Sequence, residues 1–278
     1  MASSSSPPSV NWADLPPELT FSILLRLSTV EILKNAQLVC RSWRRVCKDP
    51  WMFRKIDMRN NSIFDYDRMC RHAVDLSEGG MVEINMEHFG NDALFSYIVE
   101  KSSNLRCLRL EMSHLQTAEG FVNAFTKLPF LEDLEILHGF LEFDLKSIGQ
   151  SCPLLTTLKL NSPCFSRHMS LDDEALAIAE TMPKLRHLEL FENRLTDSGL
   201  NAILDNCLHL EHLDIRRCFN INFFGDLEKR CSERIRDLKR PDDSTADYPF
   251  DVISDTDADL FEVDSLFYYD SDGSPYYF

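Results

Sequence analysis

Leu195-Thr-Asp-Ser-Gly-Leu-Asn-Ala-Ile-Leu-Asp-Asn-Cys-Leu-His-Leu-Glu-His-Leu-Asp-Ile215 carries two periodicities in one short stretch. Leu200, Ile203 and Leu204 recur at helical spacing, whereas Leu210-x-x-Leu213-x-Ile215 alternates as a strand buried on one face does. Thr196 or Asp197 stands where a helix N-cap belongs. The stretch therefore reads as helix, polar corner, strand.

The strand half recurs upstream. Met81-x-x-Ile84-x-Met86, Leu105-x-x-Leu108-x-Leu110, Leu131-x-x-Leu134-x-Ile136, Leu155-x-x-Leu158-x-Leu160 and Leu185-x-x-Leu188-x-Leu190 precede Leu210, with starts 24, 26, 24, 30 and 25 residues apart. One turn of strand, corner and helix consumes about 20–29 residues, so this period is that of a leucine-rich repeat. Phe53-x-x-Ile56-x-Met58, 28 residues before the first unit, and Ile235-x-x-Leu238, 25 after the last, read as atypical end turns. The 195–215 stretch closely resembles the cysteine-containing subtype of the repeat.

Stacked units form a parallel sheet whose first, fourth and sixth positions point inward and whose third, fifth and seventh point from the concave face. That face reads Glu83, Asn85, Glu87; Cys107, Arg109, Glu111; Asp133, Glu135, Leu137; Thr157, Lys159, Asn161; His187, Glu189, Phe191; and His212, Asp214, Arg216. From it we select Arg109, Glu111, Asp133, Glu135, Leu137, Lys159, His187, Glu189, Phe191, His212, Asp214 and Arg216 as candidate contacts to a protein target. Leu137 and Phe191 are the apolar members, and Phe191 is expected to be exposed. The Asn or Cys expected eighth or ninth in each unit is clear only at Asn193 and Cys218, so irregular curvature is expected. A column of Ser102, Leu128, Cys152, Met182 and Cys207, three residues before each first leucine, reads as packed interior.

The chain has 278 residues, 44% of them hydrophobic, enough to bury a sizeable core. Its formal charge of −16 is concentrated beyond Pro241, where 11 Asp/Glu meet no Lys/Arg; residues 1–240 carry 29 basic against 34 acidic side chains, or −5. That balance argues against nucleic-acid and membrane partners. The acidic, aromatic tail from Pro241 has no repeat register and is expected to be disordered. The nine cysteines are an odd number without C-x-x-C pairs, and Met1 to Pro8 is a Ser/Pro run without signal-peptide features. We therefore expect free thiols, no metal, no cofactor and a location in the nucleus and cytoplasm. No catalytic constellation stands out; Cys164, His168 and Asp172 form a weak hydrolase candidate without an oriented base.

Residues 11–58 do not follow the repeat and read as three short helices. Leu15-Pro16-Pro17-Glu18-Leu19 sets prolines in a first turn and an acid near the positive end of the helix dipole. Leu19, Ile23, Leu24 and Leu27 recur on one face, Ser28-x-x-Glu31 has capping-box spacing, and residues 36–48 read as a third helix with Val39, Trp43, Val46 and Cys47 on its apolar side. These apolar residues exceed what so small a bundle can hide, so a partner or the first repeat must cover the surplus.

Leu15-Pro16-x-Glu18-Leu19-x-x-x-Ile23-Leu24-x-x-Leu27, Val39-Cys40-Arg41-x-Trp43-Arg44-x-Val46 and Asp49-Pro50-x-x-Phe53 together resemble the F-box. With the repeats, the chain is similar to the F-box/leucine-rich-repeat family, particularly its plant members. The resemblance implies an α/β chain with a three-helix F-box (11–58) and a solenoid with strands inside and helices outside (59–240); composition adds a disordered N-terminus (1–10) and a disordered acidic tail (241–278). It also implies a non-catalytic substrate receptor that docks on a Skp-type adaptor, and through it on a cullin-RING ubiquitin ligase, while the concave face holds a protein target. Leu15, Pro16, Leu19, Ile23, Leu24 and Leu27 would face the adaptor, with Val39, Cys40 and Trp43 supporting them. The rival reading is a non-degradative scaffold.

Overall fold

The computed structural model describes residues 12–59, 66–86, 91–111, 118–137, 144–161 and 172–248. The chain divides into two units, 1–242 and 243–278. In the second, the described residues end at Tyr248, whose N–H donates to Thr245 O at 2.9 Å. Most of the expected tail, and the expected disordered N-terminus, lie outside the described residues.

The first unit opens with a 3-10 turn (Trp12–Asp14), α1 (Pro17–Leu24), α2 (Thr29–Glu31), a π turn (Ile32–Ala36), α3 (Gln37–Val39), α4 (Arg41–Val46) and a second 3-10 turn (Pro50–Phe53). The capping box at Ser28 forms: Glu31 N–H donates to Ser28 Oγ at 3.2 Å and Ser28 N–H to Glu31 Oε2 at 2.9 Å. The helix expected over residues 36–48 is broken. Cys40 is extended (φ −158°, ψ 172°) and its Sγ accepts the Trp43 N–H at 3.4 Å, so this residue ends α3 and caps α4. Sequence periodicity missed the break because a thiol is a weak cap and advertises nothing.

Strands and helices then alternate: β1 (Lys55–Asp57), α5 (Tyr66–Leu76), β2 (Glu83–Met86), α6 (Asp92–Lys101), β3 (Cys107–Glu111), α7 (Ala118–Phe125), β4 (Asp133–Leu137), α8 (Leu145–Ser151), β5 (Thr157–Asn161), α9 (Asp173–Thr181), β6 (His187–Phe191), α10 (Asp197–Asn206), β7 (His212–Asp214), α11 (Asp226–Arg234) and β8 (Asp237–Lys239). All eight strands pair in chain order and in parallel. Leu108, Leu134, Leu158, Leu188 and Leu213 are direct register partners in turn. A repeat of constant phase stacks identical buried positions, each full leucine burial stabilising by about 1.5–3 kcal/mol.

The Ser102, Leu128, Cys152, Met182, Cys207 column is buried throughout and shows why it exists. Each of these residues follows a helix, and its carbonyl accepts the N–H of the first strand leucine, as in Leu155 to Cys152 (3.1 Å) and Leu210 to Cys207 (3.2 Å). The Cys152 and Cys207 thiols then donate to the carbonyls of Leu128 (3.6 Å) and Met182 (3.5 Å), one repeat back. The column is a polar seam inside an apolar wall, which a small weak donor fits.

Thr196 caps α10 through the Ser198 N–H (3.2 Å), and is itself held by Asp172, which accepts its N–H and Oγ–H at 2.7 Å each. Asp172 is thus an inter-repeat staple, and it approaches so closely that a Cβ at Gly199 would lie 2.4 Å from its Oδ1. Cys164 and His168 lie outside the described residues. The helical module and the repeats share one core, from Leu24 and Phe53 through Ile56 to Ile235, and the Asp57 N–H donates to Thr29 Oγ1 at 3.0 Å. At the other end the expected tail begins later than Pro241, because that residue is buried and its carbonyl accepts the Arg217 N–H at 2.9 Å.

Candidate docking surfaces

A helix turns 100° per residue, and α1 uses three sides of its circumference for apolar groups. Thr20 and Leu24 point into the core; Leu19 and Ile23 flank them on one side, Phe21 and Leu25 on the other. Only the pole bearing Glu18 and Ser22 is polar. Leu24 is therefore core, which corrects its placement on an adaptor-facing surface: five apolar positions in a row of seven cannot share one face, and the bundle, in which α1 packs on α4, takes Leu24 for its own core.

Of the remaining candidates, Pro16 is exposed, Leu19 is 54% exposed and Val39 59% exposed. Leu15, Ile23, Leu27, Cys40 and Trp43 are half-buried. Trp43 packs on the core, and its Nε1–H points to Trp12 O at 3.4 Å. Trp12, Leu25, Leu38 and Trp51 are exposed apolar side chains that periodicity did not single out. On the second flank Phe21, Leu25, Leu27, Ile32, Trp51 and Met52 border a groove of about 290 Å³, with the Arg54 guanidinium 4.7 Å from the Trp51 ring.

The concave face is a charge ladder. Its fifth-position row runs Asn85, Arg109, Glu135, Lys159, Glu189, Asp214, Lys239 in direct strand register. Opposite charges on neighbouring strands pair along it, Arg109 with Glu135 (3.0 Å), Lys159 with Glu189 (2.9 Å) and Lys239 with Asp214 (3.6 Å). In the third-position row Lys55 meets Glu83 at 2.6 Å, the His187 and His212 rings stack 4.2 Å apart, and His212 Nδ1 lies 3.3 Å from Asp237 Oδ2. Burial, then the neighbouring His212, hold the His187 imidazole below its usual range.

Phe191, expected to be exposed, is 2% exposed, and Arg216, expected to contact a target, is 2% exposed with Asp214 at 7%. Both are corrections with one cause. β7 stops at Asp214, the chain turns through Arg217 at φ 62°, and the Arg216 guanidinium folds back onto Asp214 (2.8 Å) and toward the Phe191 ring (5.8 Å). Asn161 and Asn85 are also buried. Of the twelve candidates this leaves Arg109, Asp133, Glu135, Leu137, Lys159, His187, Glu189 and His212 partly or fully accessible. The side chain of Glu111 and all of Glu87 lie outside the described residues.

Among the described residues no group of three or more His, Cys, Asp or Glu is arranged to hold a metal, and no helix is long and apolar enough to cross a membrane. The cysteines among them are free. Burial pushes Cys70 and Cys152 from an ordinary 9.0 up to about 12, and Cys207 and Cys231 to about 11. A raised thiol pKa is stability that is fully present below the unfolded value and lost as pH climbs toward the folded one. The melting temperature should therefore fall as pH rises from 9 toward 11, and with a shallower slope in a Cys152→Ala/Cys207→Ala variant. An equal slope in scanning calorimetry would assign the alkaline loss to other groups.

The fold is thus a parallel-strand repeat solenoid with a helical module built into its first turn. Residues 12–59 match the family described as F-box-like. Over 262 residues the chain is 55% identical to "Putative F-box/LRR-repeat protein 21" of Arabidopsis thaliana, covering 87% of this chain and 86% of that protein. Over 279 residues it is 53% identical to the F-box protein SKIP19 of the same plant, covering 96% and 90%. The chain belongs to the plant F-box/leucine-rich-repeat family.

Proposed function

We propose that the protein is the substrate-recognition subunit of a Skp-cullin-F-box ubiquitin ligase, non-catalytic itself. Its F-box would hold the Skp-type adaptor and its concave face a protein target. The observation that carries this reading is the surplus of apolar side chains on the F-box module: Leu19 and Val39 stay more than half exposed although the module's own core is filled by Leu24, Ile32, Leu33 and Phe53. Such a patch is covered when a partner docks.

The concave face supports the second half of the reading. Its charges are largely neutralised by lateral pairing, so a target would be selected by the accessible exceptions, Asp133, Leu137 and His187, more than by net charge. Holding the target beside the ligase raises the effective concentration of its lysines near charged ubiquitin.

Leu15→Ala/Pro16→Ala is expected to weaken co-purification with a Skp-type adaptor by about 10-fold or more, because interface energy concentrates in a few apolar anchors. Full retention would count against the adaptor-docking face. Accumulation of a bound partner when the proteasome is blocked separates a degradative receptor from a scaffold.

A further inference from the structure

α4 and the residues just after it carry Arg41, Arg44, Arg45 and Lys48, spaced i, i+3, i+4 and i+7, which is one stripe of a helix. All four are exposed, and none has an ion pair among the described residues. On the repeats many surface cations find carboxylates, as in Arg71 with Asp67 (2.7 Å), Lys127 with Glu100 (3.3 Å) and Lys146 with Glu180 (2.8 Å), and those that do not, such as Lys184 and Arg236, stand singly rather than in a stripe. Residues 12–59 contain nine Lys/Arg against five Asp/Glu, a surplus of +4 in a chain of −16.

Local helix stability does not account for the stripe. Like charges at i, i+3 and i, i+4 repel and destabilise a helix. Arg44 and Arg45 in the last turn do complement the negative end of the helix dipole, but Arg41 opens α4 at the positive end, where a cation is unfavourable. What the stripe does have is a neighbour. The exposed Leu38 and Val39 end α3, which packs on α4 across the extended Cys40, and α4 packs on the turn that carries the exposed Trp12. An apolar patch bordered by charge is the anatomy of a protein interface, with the apolar centre supplying affinity and the rim supplying orientation.

We propose that Arg41, Arg44, Arg45 and Lys48 steer an acidic surface of the Skp-type adaptor onto the F-box, setting the rate of association more than the lifetime of the complex. The inference rests on the adaptor-docking reading above. The partner's chemistry follows from complementarity: an acidic protein surface lying beside an apolar one meets both the stripe and Leu38/Val39. Exposed rim charges act through diffusional encounter, and their effect is screened by salt.

The test compares the full chain with an Arg41→Glu/Arg44→Glu/Arg45→Glu/Lys48→Glu variant and the corresponding four-fold Gln variant, using a purified Skp-type adaptor of Arabidopsis thaliana in stopped-flow across a salt series. At low salt the Glu variant should associate about 10–100-fold more slowly and the Gln variant by an intermediate factor, with dissociation changed less than about two-fold and the rates converging at high salt. Unchanged circular dichroism and melting temperature establish that the variants fold; if the Glu variant does not fold, the Gln variant decides. Equal association rates for all three chains overturn the stripe while leaving adaptor docking intact. So does a stripe-dependent shift of an oligonucleotide with adaptor rates unchanged, which would assign these cations to nucleic acid. Absence of adaptor binding by the wild-type chain at every salt concentration overturns both readings.

Discussion

Asp214→Ala is expected to destabilise the protein by about 3–5 kcal/mol, the range for breaking a buried ion pair from one side. Its partner, Arg216, donates from Nε to both carboxylate oxygens (3.0 and 3.1 Å), from Nη2 (2.8 Å) and from its backbone N–H (3.1 Å). A guanidinium cannot shed its proton to escape burial, so removing Asp214 leaves a charge without its principal partner in a nearly dry site. Lys239, 3.6 Å from the same carboxylate, loses this contact too, and with it a charge link between β7 and β8. Replacing both members, as Asp214→Leu/Arg216→Met, should recover much of the loss because the uncompensated charge disappears. Equilibrium denaturation measures both. A single-variant loss below about 1 kcal/mol would show that the pair is far better hydrated than its burial implies.

Leu19→Asp/Val39→Asp is expected to abolish adaptor binding, by about 4 kcal/mol or roughly 1,000-fold, while leaving the melting temperature within a few degrees. The split follows from exposure. Both side chains lie more than half in solvent in the isolated chain, so a carboxylate there is hydrated until a partner must cover it. Leu24→Asp, one residue from Ile23 and fully buried, is expected to do the reverse and unfold the module. Calorimetry of binding alongside thermal unfolding distinguishes the two classes. Undiminished binding by the Leu19/Val39 variant would move the docking face elsewhere, the Leu25/Trp51 groove being the next apolar surface on the module.

Much of this architecture was legible before any coordinates. Six L-x-x-L-x-L units at near-constant spacing leave little freedom, because inward positions must meet their own equivalents one repeat away. The helical module from Leu15-Pro16 to Phe53 was readable for a different reason: its short helices are delimited by proline, a capping box and apolar spacing, while its likeness to the F-box rested on resemblance. The exposed apolar part of the helical module was only partly readable. Leu19 and Leu24 look alike in sequence, and the choice between them depends on how α1 is rolled against α4. Cys40 breaks a helix that periodicity would continue, since its thiol cap has no strong sequence signature.

Phe191 and Arg216 show where reading along the chain stops. Both occupy seventh positions of their units, and period-2 alternation sends a seventh side chain outward. β7 ends early, however, and the turn after it folds Arg216 back over Phe191 and onto Asp214. The same holds for the ladder of Arg109, Glu135, Lys159 and Glu189, whose members stand 24–30 residues apart and neutralise one another only once strands lie side by side. Sequence alone determined the repeat, its phase and the helical module ahead of it, because apolar spacing is a local property of the chain. Tertiary structure decided which outward positions remain open and which charges remain unpaired, because burial and pairing depend on neighbours a whole repeat away.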